Sequence, residues 1–280
     1  MQIIDLSQLM LSAIFGSKRD LELNIDNLRG MMLAMIRNLN SKFRYRYGNL
    51  VIAVDGENPY WRTELFPHYK ANRVKLREKS GLDWTQVKAV VGQFKAELDE
   101  YFPYKFIEIP HVEADDIIAT LVCRNAEPIM IISSDHDYIQ LHRDNVKQYD
   151  PIRDKFIYHD NPSGYLVEHV IKGDAGDGIP NVYSDDDVFI NDAKRQVVMT
   201  EKRFDIAYST WLYKLPDTDS KMRAGICRNE RLIDLSMIPS DIQDKITESF
   251  NSQPERPRLM MRKYFMTHKL TYLSRSLGEF

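Results

Sequence analysis

The sequence has little cysteine, no long apolar run and no large excess of either charge. Its 280 residues include only 2 cysteines, too few for a disulfide framework, so we expect Cys123 and Cys227 to be free thiols, with Cys123 on an apolar helix face. The longest purely apolar run covers residues 31–36, which is far too short to cross a bilayer. The start of the chain lacks the basic region and cleavage site of a signal peptide. We therefore expect a cytoplasmic protein without a membrane partner.

Several catalytic motifs are also missing from the sequence. There is no GxxxxGKS or GxxxxGKT loop, which argues against a P-loop enzyme. An aspartyl phosphotransferase is disfavoured because no second aspartate lies two residues after Asp5. The 7 histidines do not have the spacing of a metal-ligand set, and His136 is predicted to point away from its acidic neighbours. No Ser/His or Cys/His pattern indicates a side-chain nucleophile, so the chemistry depends on other residues.

The net charge of −3 hides an uneven distribution of charged residues. Residues 70–79 contain 5 basic side chains and 1 acidic one, and the segment 251–280 is also rich in lysine and arginine. Acidic motifs elsewhere in the chain are therefore accompanied by two basic segments. This arrangement suits an anionic polymer held across a metal site, and it makes nucleic acid the expected partner.

Apolar strand-like runs alternate with helical patterns in the first half of the chain, which predicts an α/β fold with a mostly parallel sheet flanked by helices. The predicted strands cover residues 1–6, 50–54, 105–109, 128–132 and 146–149, and the predicted helices cover 24–43 and 83–101 and a short segment after 113. Beyond residue 164 the pattern is helical and less regular. We therefore expect an α/β catalytic domain at 1–165 and a smaller helical lobe at 166–280. Residues 60–82 are predicted to form a mobile helical excursion.

Carboxylates occur where the predicted strands stop. Asp5 and Asp55 end the first two strands, and the Ser-Asp-His-Asp motif at 134–137 follows the fourth. In an open α/β sheet the carboxyl ends of the strands line one crevice, so these side chains are expected to converge there. Their mutual repulsion is tolerable mainly if divalent cations are bound, and Mg²⁺ and Mn²⁺ prefer oxygen ligands.

Spacing within the acidic motifs is consistent with such a site. Asp135 and Asp137 lie two residues apart, so an extended segment would direct both to one side. Glu113 and Asp116 lie three apart and would share the first turn of a helix, where negative charge is favoured. Each motif alone has an ordinary explanation as a turn or a helix cap, and the acidic run at 185–187 is predicted to be a solvated loop. The combination of motifs, in this order, favours metal binding.

The order of these motifs resembles that of the structure-specific 5′ nucleases. This family includes flap endonucleases, the 5′-nuclease domains of bacterial DNA polymerase I and phage 5′→3′ exonucleases, and the resemblance is strongest to the ribonuclease H group of T-even-like phages. It rests on Asp5, Asp55 and the motifs at 113–116, 134–137 and 173–178, with further matches at 60–62, 69–73 and 277–280. The resemblance implies a PIN-like α/β core and a helical lobe that contains a helix–three-turn–helix-like motif.

The resemblance also implies a phosphodiesterase that uses two divalent ions, Mg²⁺ with Mn²⁺ as a substitute. The implied metal ligands are Asp5, Asp55, Glu113, Asp115, Asp135, Asp137, Asp174 and Asp177, with Asp116 as a ligand or the support of one. Lys70 and Arg73 match the basic pair at the foot of an arch formed by 60–82, where they would steer the scissile phosphate and stabilise charge in the transition state. Tyr69 is expected to stack on a frayed terminal base, and Lys75 and Arg77 to contact nucleic acid.

The segment 173–181 resembles the start of the motif with which the family grips duplex DNA. Gly176 and Gly178 allow positive φ, which lets the backbone approach a phosphate or a K⁺ ion near residues 173–179. After Pro180 the sequence departs from the family pattern. Lys194, Arg195 and the basic tail are therefore expected to take over part of the duplex binding.

These expectations describe a 5′→3′ nuclease that removes RNA primers and short DNA stretches from hybrids, nicked duplexes and flaps, in phage-type replication in the bacterial host cytoplasm. The implied partners are nucleic acid, a single-strand DNA-binding protein and a sliding clamp, and a monomer is expected. One alternative is a PIN-type ribonuclease, which leaves the motif at 173–178 and the basic helical lobe unexplained. Another is a fork-binding protein without catalysis, which the complete set of matching acids disfavours.

Overall fold

In the computed structural model, which describes residues 1–16, 24–214, 219–254 and 256–280, the chain forms a six-stranded sheet. The strands are β1 Gln2–Asp5, β2 Leu50–Val54, β3 Lys105–Glu108, β4 Ile129–Ile132, β5 Val146–Asp150 and β6 Lys155–Ile157. Their order across the sheet is β3-β2-β1-β4-β5-β6, with β1 to β5 parallel and β6 antiparallel at one edge. The predicted mostly parallel sheet is confirmed.

Helices cover both faces of this sheet. They are α1 Leu6–Gly16, α2 Ile25–Tyr47, α3 Trp61–Leu65, α4 Arg73–Lys79, α5 Trp84–Tyr101, α6 Ala114–Arg124, α7 Pro162–Lys172, α8 Glu201–Tyr213, α9 Ser220–Ile233, α10 Ser240–Ser252 and α11 Arg258–Thr267, with 3₁₀ turns at His136–Leu141, Leu235–Met237 and Thr271–Glu279. Asn24 caps α2 and Asp83 caps α5, each by accepting hydrogen bonds from N–H groups of the first helical turn. Strands β1, β2 and β4 are buried throughout because α1, α2 and α5 cover one face and α6 and α10 the other.

The second half of the chain is helical, as the sequence indicates. α7, α8 and α9 enclose a small apolar cluster of their own, which includes Val167, Ala207 and Ile226. α10 packs instead on α6, and the aromatic residues of α11 join the core beside α5. Phe280 lies 5.3 Å from Phe265, measured between ring centroids, so the end of the chain is anchored in the main core. The boundary at residue 165 stays a prediction.

Three elements differ from the sequence-based expectation. β1 ends at Asp5 because α1 begins at Leu6, and neither α1 nor the edge strand β6 has a counterpart in the prediction. The apolar residues of α1 include the exposed Leu11 and Phe15, which blur its one-sided pattern. Residues 60–82, expected as one helical excursion, contain the two short helices α3 and α4 separated by turns.

Two further expectations are wrong. The segment after β4 is not extended, because Asp135 begins a 3₁₀ turn by accepting a hydrogen bond from the Asp137 N–H at 3.0 Å. His136, within that turn, is exposed. Cys123 is exposed instead of lying on the apolar face, since it occupies the solvent side of α6 beside Arg124, and both cysteines are free.

The register of the parallel strands aligns the acidic residues. Ile4 of β1 is level with Ile52 of β2 and with Ile132 of β4. The residues that follow these positions reach the same carboxyl-terminal edge of the sheet. The fold therefore brings Asp5, Asp55 and Asp135 together from distant parts of the chain.

Candidate metal centre and nucleic-acid interface

Four carboxylates face one another at this edge of the sheet. They are Asp5, Asp55, Asp115 and Asp135. Burial, followed by repulsion from Asp55 and Asp135, raises the pKa of Asp5 to about 7. Burial and repulsion from Asp135 also raise the pKa of Asp115. Raised pKa values in a buried acidic group indicate that its charge is not balanced by cations of the protein.

Neighbouring polar groups hold these carboxylates in place. The carboxylate of Asp5 accepts hydrogen bonds from the Gln8 N–H at 3.0 Å and the Ser133 hydroxyl at 3.3 Å. The buried hydroxyl of Tyr138 lies 3.2 Å from Asp5 Oδ2 and also contacts Asp115 Oδ1. Tyr138 is absent from the predicted site, and its only sequence signal is its position directly after the motif at 134–137.

A second acidic group lies beside the first. Asp174 Oδ1 accepts hydrogen bonds from two successive backbone N–H groups, at 2.7 and 3.3 Å, which fixes the turn after α7. Burial and repulsion from Asp135 and Asp174 raise the pKa of Asp137. Burial and repulsion from Asp177 raise the pKa of Asp174, although the nearby His169 opposes this shift. His169 is a residue that the sequence reasoning missed, because it lies far from Asp137 along the chain.

The donor atoms of both groups fit divalent cations. Carboxylate oxygens at the sheet edge are the ligands that Mg²⁺ and Mn²⁺ take, and the raised pKa values show charge that a cation would balance. In the part of the chain that the structure describes, one group of three side chains has its ligand atoms within 4.8 Å of one another: Asp137, His169 and Asp174. The predicted ligands therefore belong to two positions. The first, called the all-oxygen position, has the carboxylates at the sheet edge alone, and the second has Asp137 and Asp174 with the imidazole of His169 beside them.

Glu113 and Asp116 are paired with cations of the protein itself. Together they form a capping box at the start of α6. Arg62 lies 2.8 Å from Glu113 and 2.9 Å from Asp116, and the other oxygen of Asp116 accepts the Trp61 Nε1–H at 2.9 Å. Asp116 is 0% exposed. In this arrangement Asp116 holds the base of the arch onto α6, and its role as a metal ligand or as the support of one stays a prediction.

Lys70 and Arg73 lie against the acids at the foot of the arch. The Lys70 ammonium contacts Glu113 and lies 3.4 Å from Asp177 Oδ2, while Arg73 pairs with Asp177 Oδ1. Lys70 has a φ of 57°, and its backbone N–H donates to the Asp177 carbonyl at 2.7 Å. Burial pushes the pKa of Asp177 upwards, but the two cations outweigh it and leave that pKa below its usual value.

Tyr69 is buried instead of being presented to a terminal base. Only 6% of the residue is exposed, and its ring packs in an apolar cluster with Phe66 and Val170. Its hydroxyl lies 3.0 and 3.1 Å from the Glu113 oxygens and 3.1 Å from Asp177 Oδ2. The stacking role predicted for Tyr69 is wrong for this arrangement, where the side chain links two acids.

The other predicted nucleic-acid contacts lie on the surface outside the acidic crevice. Lys75 pairs with Asp192 at 2.8 Å, and the Arg77 guanidinium lies 5.3 Å from the centroid of the Trp84 ring. Arg195 donates to two backbone carbonyls, at 3.1 and 3.2 Å. These side chains are therefore engaged in local contacts at the rim of the molecule.

The acidic run at 185–187 is exposed but not merely solvated. Lys194 lies 3.3 Å from Asp185 and 2.7 Å from Asp187. Asp185 also pairs with Lys221, and Asp186 pairs with Arg228. Lys194, predicted to bind duplex DNA, is thus partly neutralised by the run.

The turn after α7 only partly matches the prediction. Gly178 has a φ of 72°, and a Cβ there would lie 3.2 Å from the Asn72 side-chain oxygen. Gly176 is not in the left-handed region, so Gly178 uses this conformational freedom and Gly176 does not. Within the described stretch 173–200 no helix forms before α8, in line with the departure from the family pattern after Pro180.

Two family models match the chain. Residues 1–168 match the 5′-3′ exonuclease, N-terminal resolvase-like domain, and residues 163–280 match the T4 RNase H, C terminal. Ribonuclease H of Enterobacteria phage T4 is 32% identical to the chain over 99% of its length and 95% of that protein. A 5′-3′ exonuclease of Streptomyces coelicolor is 30% identical over 49% of the chain and 52% of that protein.

Solved structures share the fold. T5 5′-exonuclease with bound divalent zinc ions has a TM-score of 0.66 at 18% identity, covering 90% of this chain and 98% of that one. A T5 flap endonuclease variant in a complex with DNA and metal ions has a TM-score of 0.61 at 18% identity, covering 91% and 99%. No helix in the described ranges is both long and apolar enough to cross a membrane. By its sequence matches, the chain belongs to the 5′-3′ exonuclease family and carries a C-terminal domain of the T4 RNase H type.

Proposed function

We propose that this family member is a divalent-metal-dependent 5′→3′ nuclease that hydrolyses phosphodiester bonds at 5′ ends of RNA–DNA hybrids, nicked duplexes and flaps. In this role it removes RNA primers during phage-type replication. The observation that carries the proposal is the group of buried, uncompensated carboxylates at the sheet edge, with Lys70 and Arg73 beside it. A T4 relative named ribonuclease H and a T5 nuclease complex with DNA and metal ions support nucleic acid as the substrate.

The two acidic groups hold separate metal positions in this proposal. The all-oxygen position is held by Asp5, Asp55, Asp115 and Asp135, and the second by Asp137 and Asp174 with Asp177 at its side. Glu113, also predicted as a ligand of the first position, lies beside it, where it pairs with Arg62 and Lys70. Divalent ions at these positions supply the activation of the attacking water and the stabilisation of the leaving oxygen. Tyr138 orients two acids of the first position through its hydroxyl. No side-chain nucleophile is needed in such a reaction.

The two arch cations meet the phosphate in sequence. Arg73 has a side-chain exposure of 44% and Lys70 one of 14%, so a phosphate that approaches from solvent reaches Arg73 first. Both cations pair with Asp177, and the incoming phosphate shares or replaces these pairs. By neutralising the phosphate, they let it approach a crevice whose own carboxylates would repel it.

The remaining expectations belong to the same proposal and are supported by the family resemblance. A catalytic domain extends to about residue 165 and the duplex-binding lobe follows it. Gly178, Lys75, Arg77, Lys194 and Arg195 lie along the duplex, and a K⁺ ion binds near residues 173–179. The protein acts as a monomer in the cytoplasm of the infected bacterium, with a single-strand DNA-binding protein and a sliding clamp as partners.

One assay tests the proposal. A 5′-labelled RNA–DNA hybrid, a nicked duplex and a 5′ flap are incubated with the protein, with Mg²⁺ or with EDTA, and the product lengths are measured. We expect short 5′-terminal products from all three substrates with Mg²⁺ alone. Absence of cleavage, cleavage from the 3′ end or undiminished cleavage in EDTA would contradict the proposal.

A further inference from the structure

His169 lies between two acids of the second metal position. Its Nδ1 is 3.5 Å from Asp137 Oδ1, and its Nε2 is 3.8 Å from Asp174 Oδ2. The three side chains come from the 3₁₀ turn after β4, from α7 and from the turn after α7. The fold therefore brings an imidazole into a position that the sequence motifs describe with carboxylates alone.

These contacts are too long for hydrogen bonds and are well suited to an ion. Hydrogen bonds from a ring N–H to oxygen span about 2.7–3.2 Å. Nδ1 of His169 is buried and makes no hydrogen bond with any part of the chain that the structure describes. Two ligands that each lie about 2.1 Å from one ion are separated by roughly 3.0–4.2 Å. The Nδ1–Asp137 separation of 3.5 Å and the Nε2–Asp174 separation of 3.8 Å each fall in that window, although the ring binds a given ion through only one of its nitrogens. With one nitrogen taken from the ring, the ligand atoms of all three residues lie within 4.8 Å of one another.

The surroundings fix the orientations of His169 and Asp174. The ring of Tyr165, one turn earlier in α7, meets the His169 ring edge-on, with centroids 5.9 Å apart. The Asp174 oxygen that faces away from the imidazole is occupied by backbone N–H groups, which leaves Oδ2 directed at His169. Such support around a ligand is typical of metal sites, where neighbouring groups set the orientation of the donor.

We propose that His169 is a direct nitrogen ligand of the second metal position, together with Asp137 and Asp174. Imidazole suits transition-metal ions such as Zn²⁺, Fe²⁺ and Ni²⁺, whereas Mg²⁺ takes oxygen ligands and gives up its waters reluctantly. The second position therefore prefers a transition-metal ion, for which Mn²⁺ is the paramagnetic probe, to Mg²⁺, and the all-oxygen position at the sheet edge accepts Mg²⁺. This inference rests on the proposed function, which supplies the two cations.

The test uses Mn²⁺ as the probe and does not depend on cleavage. The metal-free full-length protein is titrated with Mn²⁺, bound ions are counted by electron paramagnetic resonance, and electron spin echo modulation detects a directly bound nitrogen. Mg²⁺ competition is measured in parallel. The variant is His169→Gln. The matched control is His136→Gln, because His136 is an exposed histidine between Asp135 and Asp137 in the same 3₁₀ turn.

We expect nitrogen coupling in the wild-type and His136→Gln proteins and its loss in His169→Gln. In that variant the Mn²⁺ affinity of one of the two positions falls roughly tenfold or more, while the Mg²⁺ affinity changes less than about threefold. Bound Mn²⁺ without nitrogen coupling in the wild type, or equal losses for both cations, overturns the role of His169 and leaves the proposed function intact. A wild-type protein that binds no Mn²⁺ overturns both.

Discussion

The acidic crevice has two regions that differ in the source of their counter-charge. At the sheet edge, Asp5 and Asp115 face other carboxylates, and burial together with this repulsion raises their pKa values. At the base of the arch, Glu113 and Asp116 share Arg62, and Asp177 has Lys70 and Arg73. The two regions adjoin each other, and both contain buried carboxylates.

Burial alone does not distinguish the two regions. Asp5 is 4% exposed and Asp116 is 0% exposed, yet only the second has a guanidinium within 2.9 Å. At the arch base the protein itself supplies the cations that balance the carboxylates. At the sheet edge, in the proposed function, divalent cations from solution balance them. The two regions therefore differ in where the uncompensated charge lies and not in how deeply their acids are buried.

Removing one acid from the sheet edge gives the largest expected effect. Asp135→Asn should lower the cleavage rate by roughly a thousandfold or more, since stabilisation by a bound cation contributes several kcal/mol. Binding of forked DNA should change little, because it depends on basic residues. Rate and affinity are measured on the same flap substrate with Mg²⁺. Asp144→Asn, an exposed acid outside the crevice, is the matched control, and normal cleavage by Asp135→Asn would remove that residue from the active site.

Removing the shared cation tests the arch base through stability. Arg62→Leu leaves the buried carboxylate of Asp116 without its ion pair and Glu113 with Lys70 alone, and it should lower the free energy of unfolding by about 3–5 kcal/mol, measured by urea denaturation. Arg124→Leu is the comparison, because its pair with Asp244 at 2.8 Å is on the surface and contributes about 1 kcal/mol or less. If both variants lose the same small amount, the arch base does not depend on Arg62.

The sequence predicts one of these regions better than the other. Asp5, Asp55 and Asp135 follow apolar strands, and parallel strands always present their carboxyl ends at one edge, so their convergence follows from local patterns. The pairing at the arch base is different. It depends on where the weakly periodic segment 60–82 folds, and this is decided by contacts with α6 and α9 that no local pattern encodes. One such contact is the hydrogen bond at 2.9 Å from Arg62 Nε to the Leu232 carbonyl.

The same reason explains the residues that sequence reasoning misses or misassigns. Tyr69 belongs to a motif that suggests a surface role, but its ring is taken into an apolar cluster formed with α7 and α9. His169 is far from Asp137 along the chain and reaches it only through the packing of α7 against the 3₁₀ turn. Local motifs thus identify ligands at strand ends, while tertiary packing decides which of them keep a free charge.

Lys70 lies at the boundary between the sheet edge and the arch base. Lys70→Ala should slow turnover by roughly tenfold to a hundredfold, because it removes a positive charge next to the reacting phosphate, and should weaken DNA binding by less than about threefold. Lys75→Ala should show the reverse split, since Lys75 lies on α4 and pairs with Asp192 outside the crevice. Single-turnover rates and equilibrium binding on one flap substrate measure both. Equal losses in rate and binding for Lys70→Ala would reduce its role to that of a backbone contact.

Asp5→Asn tests the uncompensated region with the smallest expected effect. The pKa of Asp5 is raised from 3.8 to about 7, so the folded protein retains a proton that the unfolded chain releases. The stability that this group contributes is complete below about pH 4 and is lost as the pH rises towards 7. Without divalent ions, the wild-type protein should therefore lose about 2–3 kcal/mol of unfolding free energy between pH 5 and pH 8.

The unfolding free energy of Asp5→Asn should change less with pH over the same range. At pH 8 in EDTA the variant should be more stable than the wild type, because an uncompensated charge is removed. Mg²⁺ should then stabilise the wild type more than the variant, since the variant lacks one carboxylate ligand. Asp116→Asn is the matched change at the arch base, and it should destabilise the protein at pH 8 because Arg62 loses a partner. Opposite signs for the two variants are the result that the comparison requires. If Asp5→Asn is also destabilising in EDTA, the sheet edge is balanced without ions and the two regions are electrostatically alike.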